Sequence, residues 1–162
     1  MNTYLTNHTE LLFEEQLILT NIVEYGIKWN DLVSGKIVPG PEGARFNLDF
    51  EGPVTGPKIK GKIKGTDYLE VRADGKFMLN IQAAILTDNE KSIAVREDGI
   101  LYPGENGKAH IQLNLQFTTH YPEYAWMNKI QGWAICEVDM LRGEVNVKVY
   151  KGSFESITEA AA

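Results

Sequence analysis

The sequence predicts an all-β fold, a single antiparallel up-and-down β-barrel of about eight to ten strands with little helix. Three observations carry this. Apolar and polar residues alternate in segment after segment, which is the period of a half-buried strand. Clusters of glycine, proline, asparagine and aspartate interrupt the alternation at short-strand spacing. The strands are also long, as in residues 76–87, and closing them into a barrel leaves no exposed edge to aggregate.

Along the chain, the first distinct segment is Ile22 to Ser34. Ile22, Tyr25, Trp29 and Leu32 fall at helical spacing before Gly35, so it reads as a short helix, or equally as a strand end and a loop. Phe46, Leu48 and Phe50 then alternate through RFNLDFEG. Lys58, Lys60, Lys62 and Lys64 write a solvent face in lysine. In VRADGKF, the three residues Ala73-Asp74-Gly75 suit a type I turn with glycine in the left-handed position. That turn pairs Arg72 with Lys76 and sets Val71 opposite Phe77. Leu69, Val71, Phe77, Leu79 and Ile81 then share one face, and Tyr68, Glu70, Arg72, Met78, Asn80 and Gln82 the other.

Further strands follow at Ile111, Leu113, Leu115 and Phe117, and at Val145, Val147 and Val149. The C-terminal SFESITEAAA reads as a tail. No repeat or linker divides the 162 residues, so one domain is expected over 1–162, with its core at about 12–150 and flexible termini.

Hydrophobic residues make up 43% of the chain and charged residues 23%, the balance of a globular protein rather than a disordered one. The net charge of −6 argues against nucleic acid, because phosphate binding needs a basic surface. No apolar run approaches the roughly 20 residues of a membrane helix. The single cysteine, Cys136, excludes an internal disulfide, and MNTYLTNHTELLFEEQ has neither the basic region nor the apolar run of a secretory signal. Both point to a cytoplasmic protein.

Residues 39–83, PGPEGARFNLDFEGPVTGPKIKGKIKGTDYLEVRADGKFMLNIQA, resemble the core of the domain of unknown function 3237 family. The similarity lies in the Gly-Pro turn run, in Asp67-Tyr68-x-x-x-Arg72-x-Asp74-Gly75, and in Tyr124-x-Trp126-x-Asn128. It extends through Thr87-Asp88 and covers most of residues 12–150. The resemblance implies a compact antiparallel barrel, an oligomer, and no established general activity. The chain departs from many relatives at Asn80 and Gln82, where they carry an acidic and a basic residue, and at Glu90, where they carry glycine.

No familiar catalytic motif is present, and His8, His110 and His120 do not stand at metal-ligand spacing, so neither a metal nor another cofactor is expected. A more informative signal is a row of uncharged amides: Asn80 and Gln82 on one strand, Gln112, Asn114 and Gln116 on another. Amides cost less to desolvate than charges and can both donate and accept. Such a row suits a ligand cavity, a subunit interface or plain solvent. Glu70 and Arg72 share that face, as an acid/base pair or as surface ions. His120 ends a strand at Pro122, and Tyr124, Trp126, Asn128 and Trp133 follow in an aromatic-rich stretch that either caps the core or walls a pocket.

The functional expectation is therefore a barrel that binds a small apolar or aromatic metabolite. As a cofactor-independent isomerase, cyclase or lyase it would use Glu70, His120 and Tyr124 as proton-moving groups. Tyr68, Arg72, Asn80, Gln82, Asn114, Gln116, Trp126, Asn128 and Trp133 would bind substrate. The alternatives are a non-catalytic carrier and an oligomeric structural protein. Expected partners are a small-molecule ligand and further copies of the chain, as a homo-oligomer.

Overall fold

The computed structural model describes the backbone of residues 3–158 and the side chains of residues 9–152. Eight strands close into a barrel in sequence order, each antiparallel to the next: β1 (Thr3–Glu24), β2 (Ala44–Thr55), β3 (Lys60–Val71), β4 (Phe77–Thr87), β5 (Ser92–Pro103), β6 (Lys108–Thr118), β7 (Gln131–Asp139) and β8 (Glu144–Thr158). This is the up-and-down barrel that the alternation predicts. Every strand pairs on both sides, so no edge is left open. Ser153 to Thr158, read from sequence as part of a tail, extend β8 alongside Thr3 to His8. His8 and the remaining tail residues 159–162 lie outside the described side chains.

The turn chemistry sets the register where it can be checked. Val71 pairs with Phe77, the Arg72 N–H donates to the Lys76 carbonyl at 2.9 Å, and Gly75 takes the left-handed φ of 89° that a side chain would resist. Glu90, in the β4–β5 turn, stands at φ 62°, a conformation that favours glycine.

The segment 22–34 combines both of its sequence readings. β1 runs to Glu24, the chain bends, and a five-residue helix, α1 (Trp29–Val33), lies across one end of the barrel. Glu24 Oε2 accepts the Trp29 backbone N–H at 2.6 Å and so satisfies one of the free donors at the helix start. Trp29 and Leu32 point inward, and the Trp29 ring meets Phe46 edge-on at 5.1 Å and Phe77 at 6.4 Å.

The opposite end is plugged more tightly. Phe13, Ile63, Ile85, Ile93, Leu115 and Val149 are fully buried there beneath Met127 of a 3-10 turn, Pro122–Lys129. Phe13 and Phe117 meet edge to face at 6.1 Å. No helix among the described residues is long and apolar enough to cross a membrane.

Candidate functional site

Apart from Thr87 at the end of β4, the inward phase of the alternation is apolar with four exceptions: Glu15 on β1, Asp67 on β3, Glu97 on β5 and Cys136 on β7. They come from the four odd-numbered strands, the pattern by which alternate strands fill one layer of a barrel interior. Asp67 and Glu97 flank Ile81 in one register row, since Asp67 pairs with Ile81 and Ile81 with Glu97. Cys136 and Glu15 flank Val147 in the same way. The polar layer is thus assembled from two short rows on opposing walls.

All four line one cavity of about 80 Å³ that runs from this layer toward the α1 end. Its remaining walls are apolar and include Trp29, Phe50, Phe77 and Met140. Leu19 and Val145 also line it and are only half-buried, so the cavity comes nearest to solvent between the ends of β1 and β8.

The electrostatics follow from burial without counter-charge. Glu15 and Glu97 are each 3% exposed and Asp67 6%, and among the described residues no basic side chain is buried. Desolvation pushes the Glu15 carboxyl up to about 8. It raises Asp67 to about 7, opposed by the Asn80 backbone N–H, which donates to Asp67 Oδ1 at 3.0 Å. Glu97 is held well above its ordinary value by burial first and then by the charges of Glu15 and Asp67. Burial also raises the Cys136 thiol, helped by Glu97 and Glu15, so it is an inert neutral group. Glu15 Oε1 is buried with no hydrogen-bond partner. Such an oxygen is costly unless something else meets it.

The chemistry of this layer is that of neutral carboxylic acids in an apolar chamber. A protonated carboxyl donates one hydrogen bond and keeps acceptor capacity, which suits a carbonyl or hydroxyl on an otherwise apolar molecule. Among the described residues no three His, Cys, Asp or Glu side chains are placed to hold a metal ion.

None of the twelve residues expected from sequence lines the cavity. Glu70, Arg72, Asn80, Gln82, Asn114 and Gln116 are exposed on the outer wall, with Tyr68 and Trp133 half-buried beside them. The reason is the pleat: the apolar residues of the same strands claim the interior, so their polar neighbours face out. Glu70 pairs with Arg45 at 3.3 Å across β2 and β3. Arg72 pairs with Asp74 within the turn at 3.0 Å. Gln116 reaches Gln131 at 3.2 Å, and Trp133 stacks on Tyr150 at 4.7 Å. His110 is exposed at the start of β6 and His120 is exposed past its end.

The stretch Thr118 to Ile130 covers the end away from the cavity, and Trp133 stands beyond it on the β7 wall. Tyr124 is buried and its hydroxyl donates to Asn89 Oδ1 at 3.2 Å, while Asn89 Nδ2 holds the Glu123 carboxylate at 3.0 Å. Asn128 clamps Thr119, accepting its N–H at 2.8 Å and donating to its carbonyl at 2.7 Å. Trp126 is half-buried, with its ring N–H on the Glu123 carbonyl and Lys58 5.5 Å over its face. These contacts close the core.

Residues 27–151 match the family described as protein of unknown function, DUF3237. The chain belongs to that family. No curated protein matches it. Among solved structures it is similar to a β-barrel-like protein from Acinetobacter baumannii AYE, at 18% identity and a TM-score of 0.74 over 91% of this chain and 97% of that one. A protein of unknown function from Clostridium acetobutylicum shares 24% identity with a TM-score of 0.73, over 90% and 99% of the two chains. An enzyme from Penicillium herquei shares 17% identity with a TM-score of 0.64, over 91% and 95%. At these identities the likeness is one of fold.

The interior carboxyls had a sequence signal. Glu15, Asp67 and Glu97 each occupy the apolar phase of their strand, as in Ile93, Val95, Glu97 and Leu101. An acid in phase with a buried row is the informative exception in a barrel strand. Asp67 also opens the motif on which the family resemblance rests.

Proposed function

We propose that this member of the family takes a small, neutral, largely apolar molecule into the barrel interior and acts on it by proton transfer, without a cofactor. The single observation that carries the reading is the enclosed layer of Glu15, Asp67 and Glu97, with one Glu15 oxygen unpartnered beside the cavity. Carboxyls raised toward neutrality are suited to exchange protons at working pH. Isomerase, cyclase and lyase reactions all draw on that chemistry, and the fold accommodates catalysis, since the Penicillium protein is an enzyme.

The test separates an enzyme from a carrier. Cyclohexanone carrying deuterium at its α carbons serves as a small enolisable probe, and washout into water is followed by NMR. An enzyme of this kind accelerates washout, and Asp67→Asn removes that acceleration while circular dichroism shows the barrel intact. Binding of the ketone with no acceleration supports a carrier instead.

The outer wall serves a second role in the same proposal, contact with another copy of the chain. Met78, Ile100, Gln112 and Ile135 form one register row across β4 to β7, beside the Trp133–Tyr150 stack and the amides Asn80, Asn114 and Gln116. Apolar residues beside uncharged amides have the composition of an interface core, with the charges of Asp98 and Arg96, between the amides of their rows, placed toward its rim. Sedimentation of the wild type as an oligomer, and of Ile135→Glu as a monomer, supports this role. A wild-type monomer at micromolar concentration contradicts it.

A further inference from the structure

The three interior carboxyls are not equivalent, and their differences lie in the backbone around them. Asp67 is the only one that accepts a hydrogen bond from the chain itself among the bonds of the described residues, the Asn80 N–H at 3.0 Å. That bond falls where the β3–β4 ladder is interrupted: pairing passes from Asp67–Ile81 directly to Glu70–Met78. The carboxylate takes over a donor that a ladder carbonyl would otherwise use. A donor fixed in the backbone stabilises the ionised form of its acceptor. Glu15 has the opposite environment, with Oε1 bare and no donor supplied, and such a group is held in its protonated form. Glu97 shares a register row with Asp67 and feels the charge of both other acids.

From this asymmetry, and resting on the proton-transfer reading above, we propose that Asp67 is the base and Glu15 the acid of a keto–enol step on a neutral ketone held between them. In the forward step the Asp67 carboxylate takes a proton from the carbon beside the carbonyl. The C–H electron pair becomes the new C=C bond, and the C=O π pair takes the proton of the Glu15 carboxyl. Asp67 is then protonated, Glu15 is ionised, and the ligand is an enol. In the return step Glu15 recovers the hydroxyl proton and Asp67 delivers its proton to carbon. Delivery to the same carbon gives exchange, and delivery to the far end of a conjugated enol moves the double bond. Charge and protons balance in both directions, and no co-reactant is needed. Glu97 keeps its proton throughout and acts as a positioning residue. The substrate class is thus a neutral ketone, with β,γ-unsaturation for a net isomerisation.

Every titratable group that lines the cavity is accounted for: the odd strands supply the three acids and the neutral Cys136, and all the other lining residues, on odd and even strands alike, are apolar. Trp29 and Met140 close the cavity, so no cation competes for either carboxyl.

The experiment is the pH profile of deuterium washout from α-deuterated cyclohexanone for wild type, Asp67→Asn, Asp67→Glu and Glu15→Gln. The wild type gives a bell, rising as the base ionises and falling as the acid is lost. Asp67→Asn loses at least about a hundredfold at every pH, Asp67→Glu restores washout with its rising limb displaced, and Glu15→Gln keeps the rising limb but loses the falling one. Thermal melts by circular dichroism establish that each variant is folded. Exchange of the two limbs between the variants, or a falling limb retained in Glu15→Gln, overturns this assignment and leaves proton transfer standing. No acceleration by the wild type overturns the reading beneath it as well.

Discussion

The backbone N–H of Asn80 donates to Asp67 Oδ1 at 3.0 Å, so the strand that turns the Asn80 side chain toward solvent also reaches inward to hold a buried carboxylate. One residue thereby serves both walls of the barrel. Its amide belongs to the outer row, and its backbone tunes the polar layer inside. The two roles are separable, because a side-chain substitution at Asn80 leaves the N–H in place.

Stability falls as pH rises through neutrality. The folded chain keeps protons on Glu15 and Asp67 up to about pH 8 and 7, whereas their unfolded values are 4.5 and 3.8. Between those limits the folded state binds more protons than the unfolded state, so unfolding becomes easier with each step up in pH. The contribution is fully present below about pH 4 and is lost as pH passes 7 to 8. Urea midpoints measured from pH 5 to pH 9 decline in the wild type. Glu15→Gln and Glu97→Gln flatten that decline and exceed the wild-type midpoint at the alkaline end.

Trp29 is the keystone of the α1 end. Its ring joins α1 to Phe46 and Phe77 and walls the cavity at once. Truncation to alanine removes a large buried ring with limited room for collapse, which costs about 3–5 kcal/mol. Chemical denaturation is expected to show that loss, together with greater binding of a fluorescent apolar dye by the folded barrel.

Asn128 stabilises the plugged end through its paired bonds to the Thr119 N–H and carbonyl, at 2.8 and 2.7 Å. Asn128→Ala leaves both Thr119 groups without this partner and is expected to cost about 1–3 kcal/mol. Amide hydrogen exchange at Thr119 and its neighbours accelerates in the variant, while the α1 end retains its protection. Uniform acceleration across the barrel contradicts a clamp local to this end.

The fold was legible because alternation is a direct consequence of the pleat, and because one turn, Ala73-Asp74-Gly75, fixes a register that the strand pairing reproduces. The interior site was harder to read for a physical reason. Amides such as Asn114 and Gln116 suit a dry polar setting and an outer wall alike, and composition does not distinguish them. The acids Glu15, Asp67 and Glu97 carried the sharper signal, since each breaks an apolar row at an inward position. Their convergence depends on closure of the barrel, which brings β1 round to β8 and into the same chamber as β3 and β5. No spacing along the chain encodes that meeting. The aromatic stretch at Tyr124 and Trp126 was ambiguous because a ring over a core and a ring over a pocket have the same sequence. Its contacts with Asn89, Glu123 and Lys58 make it a cap.

The most direct measurement is a carbon NMR titration of the side-chain carboxyls, with labelled aspartate and glutamate and with Glu15→Gln, Asp67→Asn and Glu97→Gln as assignments. Asp67 is expected to titrate near 7, Glu15 near 8 and Glu97 well above its ordinary value. Titration of all three in the ordinary carboxylate range, with the barrel folded, contradicts a proton-holding chamber at the centre of this protein.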